Sequence, residues 1–195
     1  MSEDISLQVS KRLAEVGPSV AVALEFPVEV YFDVLRGLVD EFARSQGMEC
    51  IYITSAVPAS TIQSTFDALE LDSSKTSYID CISQMTMATQ EKGTDRMIYV
   101  ESPTFLENVV LKVQFLMRKL GEGPKLLVVD SINALSFHND TKILSEFLHI
   151  MISGLSSKEA YPVILSMKES MRPEVHEMLN LVCDQVITLE GPDDS

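Results

Sequence analysis

Positive charge is scarce in this chain: Lys and Arg total 15 against 29 Asp and Glu over 195 residues, a formal charge of −14. A surface this acidic repels phosphate backbones, and no local basic cluster offsets it, which excludes direct nucleic-acid binding. No apolar run approaches the roughly 18 residues of a membrane span. The N-terminus, Met1-Ser-Glu-Asp-Ile5, lacks the basic and apolar regions of a secretory leader, so a cytoplasmic location is expected. Cysteine is sparse. Cys50, Cys81 and Cys183 each fall at or in an expected strand, as small buried hydrophobes do, and not in a disulfide framework. The three histidines, His138, His149 and His176, share no metal-ligand spacing, so no metal site is expected. The last absence matters most: there is no G-x-x-x-x-G-K-[ST], the loop whose backbone cradles a nucleotide's phosphates.

What is present is enough for one well-packed domain. The chain is 46% hydrophobic and 23% charged, with no internal repeat and no linker, so residues 1–195 read as a single domain. Short apolar runs alternate with helical stripes. Ser19–Leu24 is an expected strand after the Gly17-Pro18 break, and Pro27 opens a helix to about Ser45, with Val30, Val34, Leu38 and Phe42 on one face. Cys50–Thr54 is a strand, followed by a helix from Ser60 to Glu70 with Ser60 and Gln63 as a capping box. Ser77–Ile82 is a strand, 83–96 a polar excursion and Met97–Val100 another strand. Thr104 and Glu107 form a second capping box for a helix to about Leu120. Gly121-Glu-Gly-Pro124 is a turn, because it precedes a strand and opens no helix. Lys125-Leu-Leu-Val-Val-Asp130-Ser131 is a buried strand with a carboxylate and a hydroxyl at its tip. Asn139 or Asp140 caps a helix to about Ser156. Strand Tyr161–Ser166, a helix from Pro173 and strand Asp184–Leu189 complete the series. Such alternation implies an α/β fold with a mostly parallel sheet covered on both faces. Residues 1–16 form an N-terminal helix whose stripe Ile5, Val9, Leu13 and Val16 is the best candidate for a subunit contact. Residues 191–195 read as a loose tail.

Three segments, in order, carry a family resemblance. Leu126-Leu-Val-Val-Asp-Ser-Ile-Asn-Ala-Leu135 resembles the Walker B strand of RecA-like ATPases of the KaiC/RadA group. Tyr161-Pro-Val-Ile-Leu-Ser166 resembles the next sheet strand. Val182-Cys-Asp-Gln-Val-Ile-Thr-Leu189 is similar to the group's late Ala-Asp-x-Val-Ile-x-Leu strand. The resemblance spans Gly17 to Glu190 and implies a RecA-like three-layer α/β/α sandwich. It further implies that Asp130 and Ser131 stand where the family holds its Mg²⁺ shell. By a looser likeness, Lys168 and Arg172 stand where some rings reach a neighbour's nucleotide.

Two departures bear on function. Where the family places a Gly-rich loop ending Gly-Lys-Thr, this chain reads Leu24-Glu-Phe-Pro-Val-Glu-Val-Tyr-Phe-Asp33. Phosphate binding at a helix start needs converging N–H groups, glycines and a cation, and Glu25, Glu29 and Asp33 supply the opposite sign. Each close carboxylate–phosphate pair costs roughly 1–4 kcal/mol. After the second strand, Ser55 and Ala56 stand where the family's catalytic acids are expected, and neither acts as a general base at neutral pH. The expectation is a non-catalytic, degenerate family member without bound cofactor, whose Asp130 and Ser131 are vestigial. It would act as a protein-binding scaffold or regulatory subunit in a homo-oligomer or a RecA-like hetero-oligomer. One alternative is a weak ATP-binding regulator with Mg²⁺ on Asp130. Another is an unrelated small-molecule enzyme using a crevice lined by Thr54, Ser55, Asp130, Ser131 and Ser166. Met85, Met87 and Met97 are expected to fill core, or else to form an adaptable contact surface.

Overall fold

The computed structural model describes residues 4–87 and 92–191, residue 87 by its backbone alone. Of the expected tail, only Gly191 falls among them, and of the polar excursion, residues 88–91 lie outside.

Helix α1 (Ile5–Val16) is capped by Asp4, whose carboxylate accepts the Ser6 backbone N–H at 2.9 Å. Strand β1 (Val22–Phe26) leads through Pro27 and a 3₁₀ turn (Val28–Val30) into α2 (Tyr31–Arg36). The same helix widens into a π-helical segment, Gly37–Ala43, and Gly47 stops the chain in the left-handed conformation at φ 66°. At Gly37 a Cβ would lie 2.7 Å from the Ser6 carbonyl oxygen and 2.8 Å from Val9 Cβ, so α1 crosses at a distance that excludes any side chain. This crossing corrects the expected role of the N-terminal stripe. Val9 and Leu13 are fully buried, Ile5 and Val16 pack partly against the same cluster, and the stripe is spent inside its own chain.

The remaining elements are β2 (Glu49–Thr54), α3 (Ala59–Ala68), β3 (Thr76–Asp80), α4 (Ser83–Met87), β4 (Met97–Tyr99), α5 (Leu106–Lys119) and β5 (Lys125–Asp130). Then come α6 (Ile132–His138), α7 (Thr141–Leu155), β6 (Ala160–Met167), α8 (Pro173–Val182) and β7 (Gln185–Thr188). The seven strands form one sheet in the order β4-β3-β2-β5-β6-β1-β7, and every strand pairing is parallel. Residues alternate between its faces. Leu127 and Val129 share one core cluster with residues of α5, α6, α7 and α8, while Leu126 and Val128 share the other with residues of α1, α2 and α3. The result is the three-layer α/β/α sandwich. Among the described residues no helix is long and apolar enough to cross a membrane.

Neither expected capping box forms. The Ala59 N–H at the head of α3 donates to the Asp80 carboxylate at 2.7 Å, across the rim from β3. At α5 the helix begins two residues after Thr104, whose hydroxyl instead meets Ser102. The Asp140 cap of α7 is present, with the Ile143 N–H at 2.9 Å. Helix α6 falls between Asp130 and Asn139, where the sequence reading places no element. Ser131 accepts the Ala134 N–H, which starts a helix straight off the strand.

Candidate functional site

In open parallel sheets, ligands sit beyond the C-terminal strand ends, where the strand order changes direction. Here that rim brings together the ends of β1, β2, β5 and β6. Its centre is Asp130, 3% exposed at the tip of β5. Two phenols close over it. Tyr31, at the start of α2, and Tyr52, in the middle of β2, both donate to Asp130 Oδ2 at 2.5 Å. Burial pushes the carboxyl above its ordinary range, and the two phenols oppose that shift. Burial pushes both phenols upward too, with the charge of Asp130 adding to the effect, so their protons stay in place as donors. The ring of Tyr31 is itself held, with Phe26 stacked at 6.4 Å and Phe32 edge-on at 5.4 Å.

The other residues expected to line the crevice are tied down as well. Ser55 Oγ donates toward the Asp130 and Ser131 carbonyls at 3.1 and 3.3 Å and accepts the Ser131 N–H at 3.2 Å. The Thr54 hydroxyl donates to the Val57 carbonyl, Ser131 caps α6, and Ser166 is buried with its hydroxyl 3.8 Å from Met171 Sδ. Lys168 pairs with Glu190 at 3.1 Å. Arg172 donates to the Ser136 carbonyl at 2.9 Å and pairs with Glu174 at 3.4 Å. Both cations are held by contacts within the chain.

The turn that follows β1 is filled from within the chain. The Val28 N–H, at the first turn where a phosphate would be met, donates to both carboxylate oxygens of Glu169, at 3.1 and 3.0 Å. Gly191 packs against Pro27 and the Glu29 carboxylate so closely that a Cβ there would sit 2.1 Å from Glu29 Oε1. Glu25 is buried at the end of β1 and meets His176 Nδ1 at 2.6 Å, while His176 Nε2 faces the Asn180 amide at 3.1 Å. Both ring nitrogens are engaged, and no serine or cysteine adjoins them among the described contacts. Mg-ATP does not fit this arrangement. The carboxylate that would face the metal is capped by phenols, the helix-start N–H already holds a carboxylate, and the flanking side chains are acidic. Among the described residues no group of three His, Cys, Asp or Glu could hold a metal ion.

Several organising residues escaped the sequence reading. Asp80 accepts the N–H groups of Ala59, Ile82 and Ser83 and the Ser83 hydroxyl. Asn133 clamps the end of β6, donating to the Met167 carbonyl and accepting the Met167 N–H. His176, singled out in the sequence only for its lack of metal-ligand spacing, reaches Glu25. One signal was available: Tyr52 lies in the middle of an apolar strand, and a buried phenol needs an acceptor. The three cysteines are buried, and burial raises each thiol to about 12, so none is a reactive thiolate.

The comparisons with known proteins agree with this fold. The family model described as "ATPase: KaiC" matches residues 39–192, a span that begins after the divergent turn behind β1. A comparison with curated proteins finds no match. Among solved structures, the chain is similar to the KaiC-like protein PH0186 of the hyperthermophilic archaeon Pyrococcus horikoshii OT3. The TM-score is 0.61 at 13% identity, over 91% of this chain and 74% of that one. With its sheet order, its Asp130-tipped central strand and a family match over most of its length, the chain belongs to the KaiC family of RecA-like ATPase domains.

Proposed function

We propose that this chain is a non-catalytic KaiC-family subunit that acts by binding protein, as a scaffold or regulator. One observation carries the reading: the crevice is closed by the chain's own side chains, with Tyr31 and Tyr52 on Asp130 and Glu169 on the Val28 N–H. Phosphoryl transfer depends on a phosphate cradle, a metal-holding carboxylate and a group that positions the attacking water. The first is replaced by Pro27, Glu29 and their neighbours. The second is covered by phenols. The third has Ser55 and Ala56 at its place. A subunit of this kind keeps the lateral surfaces of a RecA-like core, and its expected partner is a second copy or another RecA-like chain.

The test is thermal denaturation with and without millimolar Mg-ATP, alongside a phosphate-release assay. A ligand at 100 times its Kd stabilises its target by about 2.7 kcal/mol. The expected result is no shift and no released phosphate. A shift of that size would establish nucleotide binding and overturn the reading. Sedimentation then separates a self-assembling subunit from one that needs a different chain.

A further inference from the structure

The free edge at β7 has features that the crevice does not use. Among the described residues β7 ends the sheet and pairs with β1 alone. The Gln185 N–H donates to the Ala21 carbonyl and the Leu189 N–H to the Glu25 carbonyl. Successive residues of a strand direct their backbone groups to opposite sides, so Val186 and Thr188 aim theirs away from β1. Such an edge is a template for another strand unless it is guarded.

Beside it runs a cleft of about 340 Å³, lined by Gln8, Lys11, Arg12 and Glu15 of α1 together with Thr188 and Leu189. Because the apolar stripe of α1 is spent inside the fold, the helix presents its polar back here. Lys11 and Arg12 are exposed, and among the described residues neither forms an ion pair. Two cations against one carboxylate make the cleft locally basic on a chain of net charge −14. That sign selects the occupant. Edge-to-edge pairing with a second copy would bring two basic clefts together, whereas an acidic strand gains both ladder bonds and charge pairing.

We infer that the β7 edge and the polar face of α1 form a docking groove for an extended acidic segment of a partner protein, which adds as a strand beside β7 with its carboxylates on Lys11 and Arg12. The inference builds on the protein-binding reading and names the partner's chemistry, yet it fails separately. Stabilisation by Mg-ATP with released phosphate would sink the non-catalytic reading and leave the groove intact. Loss of peptide binding would remove the groove and leave the crevice argument standing.

The experiment uses the full chain and two labelled peptides of alternating charged and Val residues, one with Glu and one with Lys, measured by fluorescence anisotropy at low salt. The Glu peptide is expected to bind at least about tenfold more tightly than the Lys peptide. Its affinity should fall by about the same factor in the Lys11→Glu, Arg12→Glu double variant. Thr188→Pro removes an edge N–H at a position where proline is tolerated, and should abolish binding while the melting temperature holds. In the unsubstituted protein, hydrogen exchange at the Val186 and Thr188 amides should slow when the Glu peptide is bound. That readout stands even if the proline variant fails to fold. Equal binding of both peptides, no binding of either, or unchanged exchange at those two amides would overturn the assignment.

Discussion

The two walls of the central crevice differ in what holds them. On the β5 wall, Lys125 to Asp130 forms a strand buried between β2 and β6, with an acid at its tip, followed by a serine that caps the next helix. On the β1 wall, strand and helix are in place, but the turn between them carries proline and acids instead of glycines and lysine. The β5 wall is fixed by packing. Leu126, Leu127, Val128 and Val129 are fully buried, two on each face, and any truncation there opens a cavity. The β1 turn lies at the surface, where its residues answer mainly to whatever ligand it holds. When that ligand is a carboxylate of the same chain, the geometry of a phosphate cradle is no longer required. Asp130 joins the two walls, because Tyr31 reaches it from the β1 side and Tyr52 from the sheet.

That join is the place to break the comparison. Asp130→Ala removes the acceptor of two buried phenols and should cost about 3 kcal/mol in urea denaturation. If the carboxylate served a bound metal and not the fold, the substitution would leave stability unchanged or raise it by removing a buried charge. A smaller effect isolates the β1 wall. Tyr31→Phe deletes one of the two donors while Tyr52 keeps the other, so the expected loss is about 1 kcal/mol. No loss would mean that Tyr31 only lies near the carboxylate and does not hold it.

The smallest effect is a pH dependence. Burial holds the Asp130 carboxyl above its ordinary 3.8, so the folded chain binds that proton more tightly than the unfolded chain does. The stabilisation this gives is fully present below the unfolded value and is lost as pH rises through the folded one. Asp130→Asn has no such proton. Thermal melts over a pH series should therefore show the unsubstituted protein gaining on the Asn variant as pH falls from neutral toward the ordinary carboxylate range. A constant gap would show that burial does not raise this carboxyl.

Much of this architecture is legible along the chain, because the signals are local. The run Leu126–Asp130 is a strand by its length and β-branched residues, and the spacing of Val34, Leu38 and Phe42 marks a helix. The absence of a phosphate loop is likewise a fact about consecutive residues. Where the sequence reading departs from the fold, the deciding contact is distant at α1 and α3 and local at α6, where Ser131 caps the helix. The Ala59 N–H finds Asp80 rather than a neighbouring Ser60 side chain, and the α1 stripe finds the π-helical segment rather than another subunit.

The sequence by itself determined the alternation of strands and helices, hence a parallel sheet between two helical layers, and it determined that no glycine-lysine phosphate motif follows the first strand. Periodicity and turn chemistry operate over a few residues, and both conclusions need nothing longer. Tertiary structure alone decided that Tyr31 and Tyr52, 99 and 78 residues before Asp130, share one of its oxygens, and that Glu169 takes the Val28 N–H from 141 residues away. Those meetings depend on which strands become neighbours, and in a parallel sheet that order is set by long crossovers whose packing no local pattern encodes.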